Sequence, residues 1–168
     1  MRFILAIDPG TFDSAFVYWD AQEKKILNKG ILSNEDLLHY IIDYYKPGSN
    51  TDVMVIEGIA SYGMSVGASV FSTCVWIGRF WQASRYPVHL IYRKEVKSFL
   101  CGSMKAKDSN IRQALIDLIG PQGTKKAPGP THGVKADEWS ALALAVTFAT
   151  RHEKENVNGK SINRPVAG

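Results

Sequence analysis

The sequence is short of cysteine, of long apolar runs and, over one wide stretch, of acidic residues. Its two cysteines, Cys74 and Cys101, show no metal-ligand or redox spacing. That argues against a cysteine-based centre and leaves buried thiols in a reducing compartment as the expectation for both. No stretch approaches the ~20 apolar residues that a membrane helix needs. The N-terminus enters a strand pattern within a few residues, unlike a signal peptide. The expected setting is therefore cytoplasmic. Between Arg85 and Lys135, ten basic residues face only Glu95, Asp108 and Asp117. The chain as a whole has a formal net charge of +4. The basic excess is thus regional, as at a surface that meets a polyanion. A solvated helical face with loops would carry the same charges.

The 168 residues, 45% apolar and 21% charged, fit one soluble domain with a sizeable core. Arg2 to Asp8, Ser14 to Trp19 and Lys25 to Leu32 read as three strands joined by short links, hence an antiparallel meander. Ser33 or Asn34 can cap a helix through about Tyr45, stopped by Pro47-Gly48. Asp52 to Gly58 is too short for a helix and reads as a strand. Val70 to Arg85 reads as a helix with Phe71, Trp76, Phe80 and Trp81 along it. Pro87 to Tyr92 is a further strand, followed by helices in "KEVKSFL" and "KDSNIRQALIDLIG". Gln122 to Gly133, rich in Gly, Pro and Lys, is expected to be a mobile loop. Asp137 to Arg151 is the last helix. Residues 1–152 make one domain and 153–168 a polar, flexible tail. The order β-β-β-α-β-α-β-α-α-α implies an α/β fold with a five-stranded mixed sheet flanked by helices.

Two apolar strands end in carboxylates, Asp8 in "ILAIDPG" and Glu57 in "VIEG". Strands this apolar sit centrally. If the two are neighbours, both carboxylates emerge at one end of the sheet, where they repel unless a proton or a cation lies between them. Hard oxygen ligands suit Mg²⁺. Asp137 and Glu138, in "KADEWSALALA", add acid at a helix start. Two metal ions about 4 Å apart can activate a water and stabilise the leaving oxygen in phosphodiester hydrolysis. Taken singly, Asp8 is a turn residue before Pro-Gly and Asp137 and Glu138 are helix-start charges. Their combination with the basic segment points to a metal-dependent nuclease.

These motifs resemble those of the RuvC-type Holliday junction resolvases, in the ribonuclease H-like superfamily. The likeness runs from about Phe3 to Ala149. "AIDPGT" resembles the first-strand motif and "VIEG" the motif with a catalytic Glu. "EVKSFLCGSMKAKDSNIRQALIDL" resembles the family's basic stretch, and "DEWSALALAVTFA" its last helix. The resemblance implies a ribonuclease H-like fold and Mg²⁺-dependent nicking of four-way or other branched DNA, with two ions per site and Mn²⁺ able to substitute. It implies Asp8, Glu57 and Asp137 as metal ligands, with Glu138 as a secondary candidate, and Lys107 as a catalytic charge at the phosphate. Lys97, Lys105, Arg112, Lys125 and Lys126 would contact DNA phosphates. His132 would assist the attacking water or touch DNA. Tyr62 and Met64, in the Gly-rich loop after Glu57, would unstack bases. A homodimer is implied, one site per strand, with Phe71, Trp76 and Phe80 as candidate contacts. The family has a second ligand three residues beyond the first in its last helix; here that position is Ser140. Two alternatives share parts of the pattern: another ribonuclease H-like nuclease, acting on flaps, branched DNA or RNA–DNA hybrids, and an actin-like ATP-binding protein. The second needs two lobes, for which the chain is too short.

Overall fold

Residues 1–44, 51–63 and 65–157 are described by the computed structural model of the chain. Strand formers concentrate in Phe3–Asp8 (β1), Asp13–Asp20 (β2) and Lys25–Ser33 (β3), which pair antiparallel in succession. After helix α1 (Asn34–Tyr44) comes Thr51–Gly58 (β4), parallel to β1. Helix α2 (Ala68–Ala83) then leads to Val88–Tyr92 (β5), parallel to β4. The sheet order is β3-β2-β1-β4-β5. Helices α3 (Arg93–Cys101), α4 (Asp108–Ile119) and α5 (Glu138–Val157) complete the described residues. The element order and the mixed sheet are those expected from the sequence. The α1 stop signal Pro47-Gly48 lies outside the described residues, as do Tyr45, Met64 and residues 158–168.

Side-chain alternation splits the core in two. Ile4 and Ala6 of β1, Val53 and Val55 of β4, and Ala15 and Val17 of β2 face α5, packed with Val96 of α3 and Leu115 of α4. Leu5, Ile7, Met54 and Ile56 face the other way, onto Leu37 and Ile41 of α1 and Ile77 and Phe80 of α2. Both layers of β1 and β4 are buried, which explains why these strands read as continuous apolar runs. The small residues Ala141, Ala143 and Ala145 let α5 lie close against the sheet. That helix continues to Val157, past the end expected at Arg151.

Of the two cap candidates for α1, Ser33 is the N-cap: its Oγ accepts the Asp36 backbone N–H at 3.1 Å, and Asn34 is spent elsewhere. Two local expectations change. Cys74 is exposed on α2 rather than buried, because it lies on the face turned away from the sheet. Gln122 to Gly133, expected to be mobile, is a tight hairpin. Thr124 and Ala127 exchange backbone bonds of 2.9 and 3.2 Å around Lys125-Lys126, and Gly129 N–H donates to Gln122 O at 2.9 Å. Thr131 Oγ1 donates to Gly120 O at 3.0 Å and Gln122 Nε2 to Val134 O at 3.2 Å, tying the hairpin to its base.

Candidate active site

The alternation that buries Ile4 and Ala6 against α5 turns Asp8 to the same face, and Val53 and Val55 do the same for Glu57. The parallel register pairs Ile7 with Ile56, so the next step sets Asp8 beside Glu57. A glycine follows each carboxylate closely, and both are required. A Cβ on Gly10 would lie 2.2 Å from Asp13 O, and one on Gly58 2.7 Å from the Tyr92 ring. The turn after Asp8 is fixed by the buried Asn34. Its Nδ2 donates to Gly10 O at 3.0 Å, its backbone N–H donates to Phe12 O at 2.8 Å, and its Oδ1 accepts from Ser14 Oγ at 2.5 Å. Thr11 Oγ1 lies 3.4 Å from Thr73 Oγ1, linking the turn to α2.

Electrostatics mark this pair out. Burial, then the Glu57 charge and a hydrogen bond shared with Glu57, then the Asp137 charge, push the Asp8 carboxyl up to about 8, against the pull of Arg93. Asp8 is thus pushed towards its protonated form, hydrogen-bonded to Glu57. Asp137 stands exposed just before α5, after Ala136, whose φ of +43° is unusual for a residue with a side chain. Hard carboxylate oxygens that crowd until one takes up a proton are a suitable donor set for a divalent cation. Among the described residues, no three Asp, Glu, His or Cys side chains are gathered closely enough to hold an ion as they stand. Asp137, which acts on Asp8 through its charge, would have to close in.

Glu138 is not brought to this pair. It is 2% exposed, its Oε2 is 2.8 Å from Lys29 Nζ, and the same oxygen accepts the Lys135 backbone N–H at 2.9 Å. Successive helix residues diverge by about 100°, and here the divergence sends Glu138 to β3. Lys107 is exposed at the N-cap of α4, its backbone N–H bonded to Asn110 Oδ1 at 2.9 Å. Lys97 is half-buried on α3, and Lys105 is exposed. Arg112 is held by Gln122 Oε1 at 3.1 Å and by the Trp139 ring at 4.8 Å. Lys125 and Lys126 occupy the exposed hairpin tip. His132 braces that hairpin, with Nδ1 3.1 Å from Gln122 O. Tyr62 is 49% exposed, has a φ of +48°, and carries Lys94 Nζ 3.4 Å over its ring. Met64 lies outside the described residues. On α2, Phe71 is exposed and Trp76 half-buried, but Phe80 belongs to the core and cannot contact a partner.

Two residues were not singled out in the sequence. Arg93 opens α3 directly after β5, at the same end of the sheet as Asp8 and Glu57. Its guanidinium reaches Glu57 Oε2 at 3.7 Å, Asp108 Oδ1 at 2.6 Å and Ser140 Oγ at 3.4 Å. Burial works against its charge, but Glu57, Asp108 and Asp8 outweigh burial and raise its pKa. Its position after the strand "PVHLIY" was the available signal. Phe12, 81% exposed on the turn that Asn34 fixes, is the other.

No protein-family model and no curated protein matches the sequence. Solved structures do match the fold. The chain superposes on Thermus thermophilus RuvC with a TM-score of 0.63 at 18% identity, covering 94% of this chain and 97% of that one. With T. thermophilus RuvC in complex with a Holliday junction substrate the TM-score is 0.69 at 16% identity, over 92% and 96% of the two chains. The yeast mitochondrial Holliday junction resolvase Ydc2 gives 0.56 at 10% identity, over 92% of this chain and 83% of that one. The five-stranded mixed sheet with its five helices is therefore the ribonuclease H-like fold of the RuvC-type resolvases.

Proposed function

We propose that the chain is a metal-dependent endonuclease that nicks four-way or otherwise branched DNA. The observation that carries this reading is the Asp8–Glu57 pair, set side by side at one sheet end with Asp137 acting on it. The fold it sits in is shared with a protein solved on a Holliday junction. Asp8 and Glu57, completed by Asp137, would hold Mg²⁺ or Mn²⁺. Such a cation supplies positive charge for a phosphodiester group and lowers the pKa of water enough for hydrolysis near neutral pH. The chain's own groups do the rest. Asp8 would have to give up its proton to serve as a ligand. Arg93 holds a fixed positive charge beside Glu57. Lys107 and the hairpin lysines Lys125 and Lys126 meet backbone phosphates, which position DNA without reading its sequence. Tyr62 and Phe12, both exposed, offer faces on which an unpaired base can stack. A homodimer would present two sites to two strands, and the exposed Phe71 and Val75 of α2 form a candidate contact.

The test is cleavage of a synthetic four-way junction in Mg²⁺, with linear duplex of the same sequence as comparison and Asp8→Asn as control. The reading expects paired nicks in the junction, little cutting of the duplex, and none by the variant. Cleavage unchanged by Asp8→Asn would remove the site assignment. Equal cutting of junction and duplex would leave a nuclease without junction selectivity.

A further inference from the structure

We infer that Arg93 is a built-in cation of the active site, so that the centre takes one divalent ion where three carboxylates alone would draw in two. The inference deepens the nuclease reading above and rests on it.

The guanidinium is held from three elements. Asp108 of α4 anchors Nη2 at 2.6 Å, while Nη1 lies 3.4 Å from Ser140 Oγ of α5 and 3.7 Å from Glu57 Oε2 of β4. It fills the side of Glu57 that faces α5, where a small cleft is lined by Glu57, Arg93, Asp108, Trp139 and Ser140. A second ion bridging from Glu57 towards α5 would have to displace it. Ser140 supplies a hydroxyl there, which accepts a hydrogen bond from Arg93 but is a poor ligand for Mg²⁺. Charge agrees with geometry. Asp8, Glu57 and Asp137 carry three negative charges once ionised, and an arginine stays protonated at any working pH. Arg93 offsets one of those charges at Glu57, and Asp108, which offsets Arg93 in turn, is 74% exposed and screened by water, so the site draws a second ion less strongly than three carboxylates alone would. The long Arg93–Glu57 contact leaves guanidinium N–H groups free to meet a phosphate oxygen, a geometry to which the planar fork is suited. Asp108, 74% exposed, acts here as a positioning residue that holds the fork in place.

The experiment is Mn²⁺ binding by the full chain without DNA, followed through loss of the free-ion electron paramagnetic resonance signal. Wild type is expected to bind one ion per chain, and Asp8→Asn to lose it. Arg93→Met, which removes the neighbouring positive charge, is expected to bind the first ion several-fold to about tenfold more tightly. Arg93→Lys keeps the charge and is expected to stay near wild type, which a purely structural role for the fork would not predict. The double variant Arg93→Met/Ser140→Asp is expected to bind two ions. Two ions per wild-type chain would overturn the inference and leave the nuclease reading standing. No binding by wild type would overturn both. Unchanged affinity in Arg93→Met, with its circular dichroism and melting curve showing a folded chain, would also overturn the inference.

Discussion

The antiparallel pair β1–β2 ends in an aspartate at each of its two ends, and the two have opposite fates. Asp20, opposite Phe3, is 2% exposed and fully served. Arg2 donates Nε at 3.0 Å and Nη2 at 2.8 Å, and the backbone N–H groups of Gln22 and Glu23 each donate at 3.0 Å. The hydrogen bonds from Arg2, assisted by those backbone donors against the cost of burial, hold its carboxyl below the usual range. Asp8, opposite Ala15, faces Glu57 and Asp137, and its carboxyl is pushed up to about 8. Residue type and strand-end position are the same at both places. What differs is whether the fold supplies donors or more acid. Donors make a carboxylate part of the scaffold, whereas added acid makes it a demand for a cation.

The sharpest way to break this contrast is Asp8→Asn. Junction cleavage in Mg²⁺ should fall by more than about a hundredfold, measured as single-turnover rate, while junction binding persists in a mobility-shift assay. The same variant should melt at a higher temperature than wild type at pH 7. The folded carboxyl titrates near 8 against 3.8 for an ordinary aspartate, so wild-type stability falls as pH rises from about 4 to about 8. The gain from Asp8→Asn should shrink towards pH 4. At subsaturating Mg²⁺ the wild-type rate should climb with pH until about 8, as the cation displaces the proton more easily.

Glu138→Ala addresses a neighbour of Asp137 whose carboxylate is scaffold. Removing it leaves Lys29 Nζ with Gly133 O, at 2.6 Å, and strands the Lys135 N–H, and should cost about 1–3 kcal/mol in urea unfolding, with Mn²⁺ affinity unchanged. Loss of Mn²⁺ binding would move Glu138 back among the metal ligands. Asp20→Ala leaves two backbone donors unsatisfied and should cost about 1–3 kcal/mol at neutral pH without altering the cleavage rate of the folded fraction. Because the Asp20 carboxyl is held low in the folded chain, its contribution is complete above pH 4 and disappears as pH falls through the folded value. The smallest effect is expected from Ala136→Gly. It relieves the positive φ before Asp137 and should stabilise the chain by up to about 1 kcal/mol. The same freedom should slow cleavage a few-fold by loosening Asp137.

Local signals carried the element order, because each strand and helix declares its period within a few residues. They also carried Asp8 and Glu57, since an acid at the end of an apolar run is conspicuous. Glu138 was harder: its partner Lys29 stands on an edge strand far back in the chain, and only the folded sheet brings them to 2.8 Å. Arg93 was hidden for a related reason. In the sequence it is one basic residue among ten, and its significance comes from Glu57, Asp108 and Ser140, which reach it from three separate elements. The segment from Gln122 to Gly133 was misread because Gly, Pro and Lys serve a tight hairpin as well as a loose loop. The distinction lies in hydrogen bonds to Gly120 and Val134.

That hairpin bears on how the proposed DNA contacts are made. A floppy basic loop loses about 1–2 kcal/mol of conformational entropy for each residue it orders on binding. Lys125 and Lys126 stand on backbone that is closed by its own hydrogen bonds, which would leave mainly their side chains to be immobilised. Their attraction for phosphate would therefore be expressed almost in full through released counterions. The tip would act as a stiff outrigger, effective at low salt and the first contact to fade as salt is added.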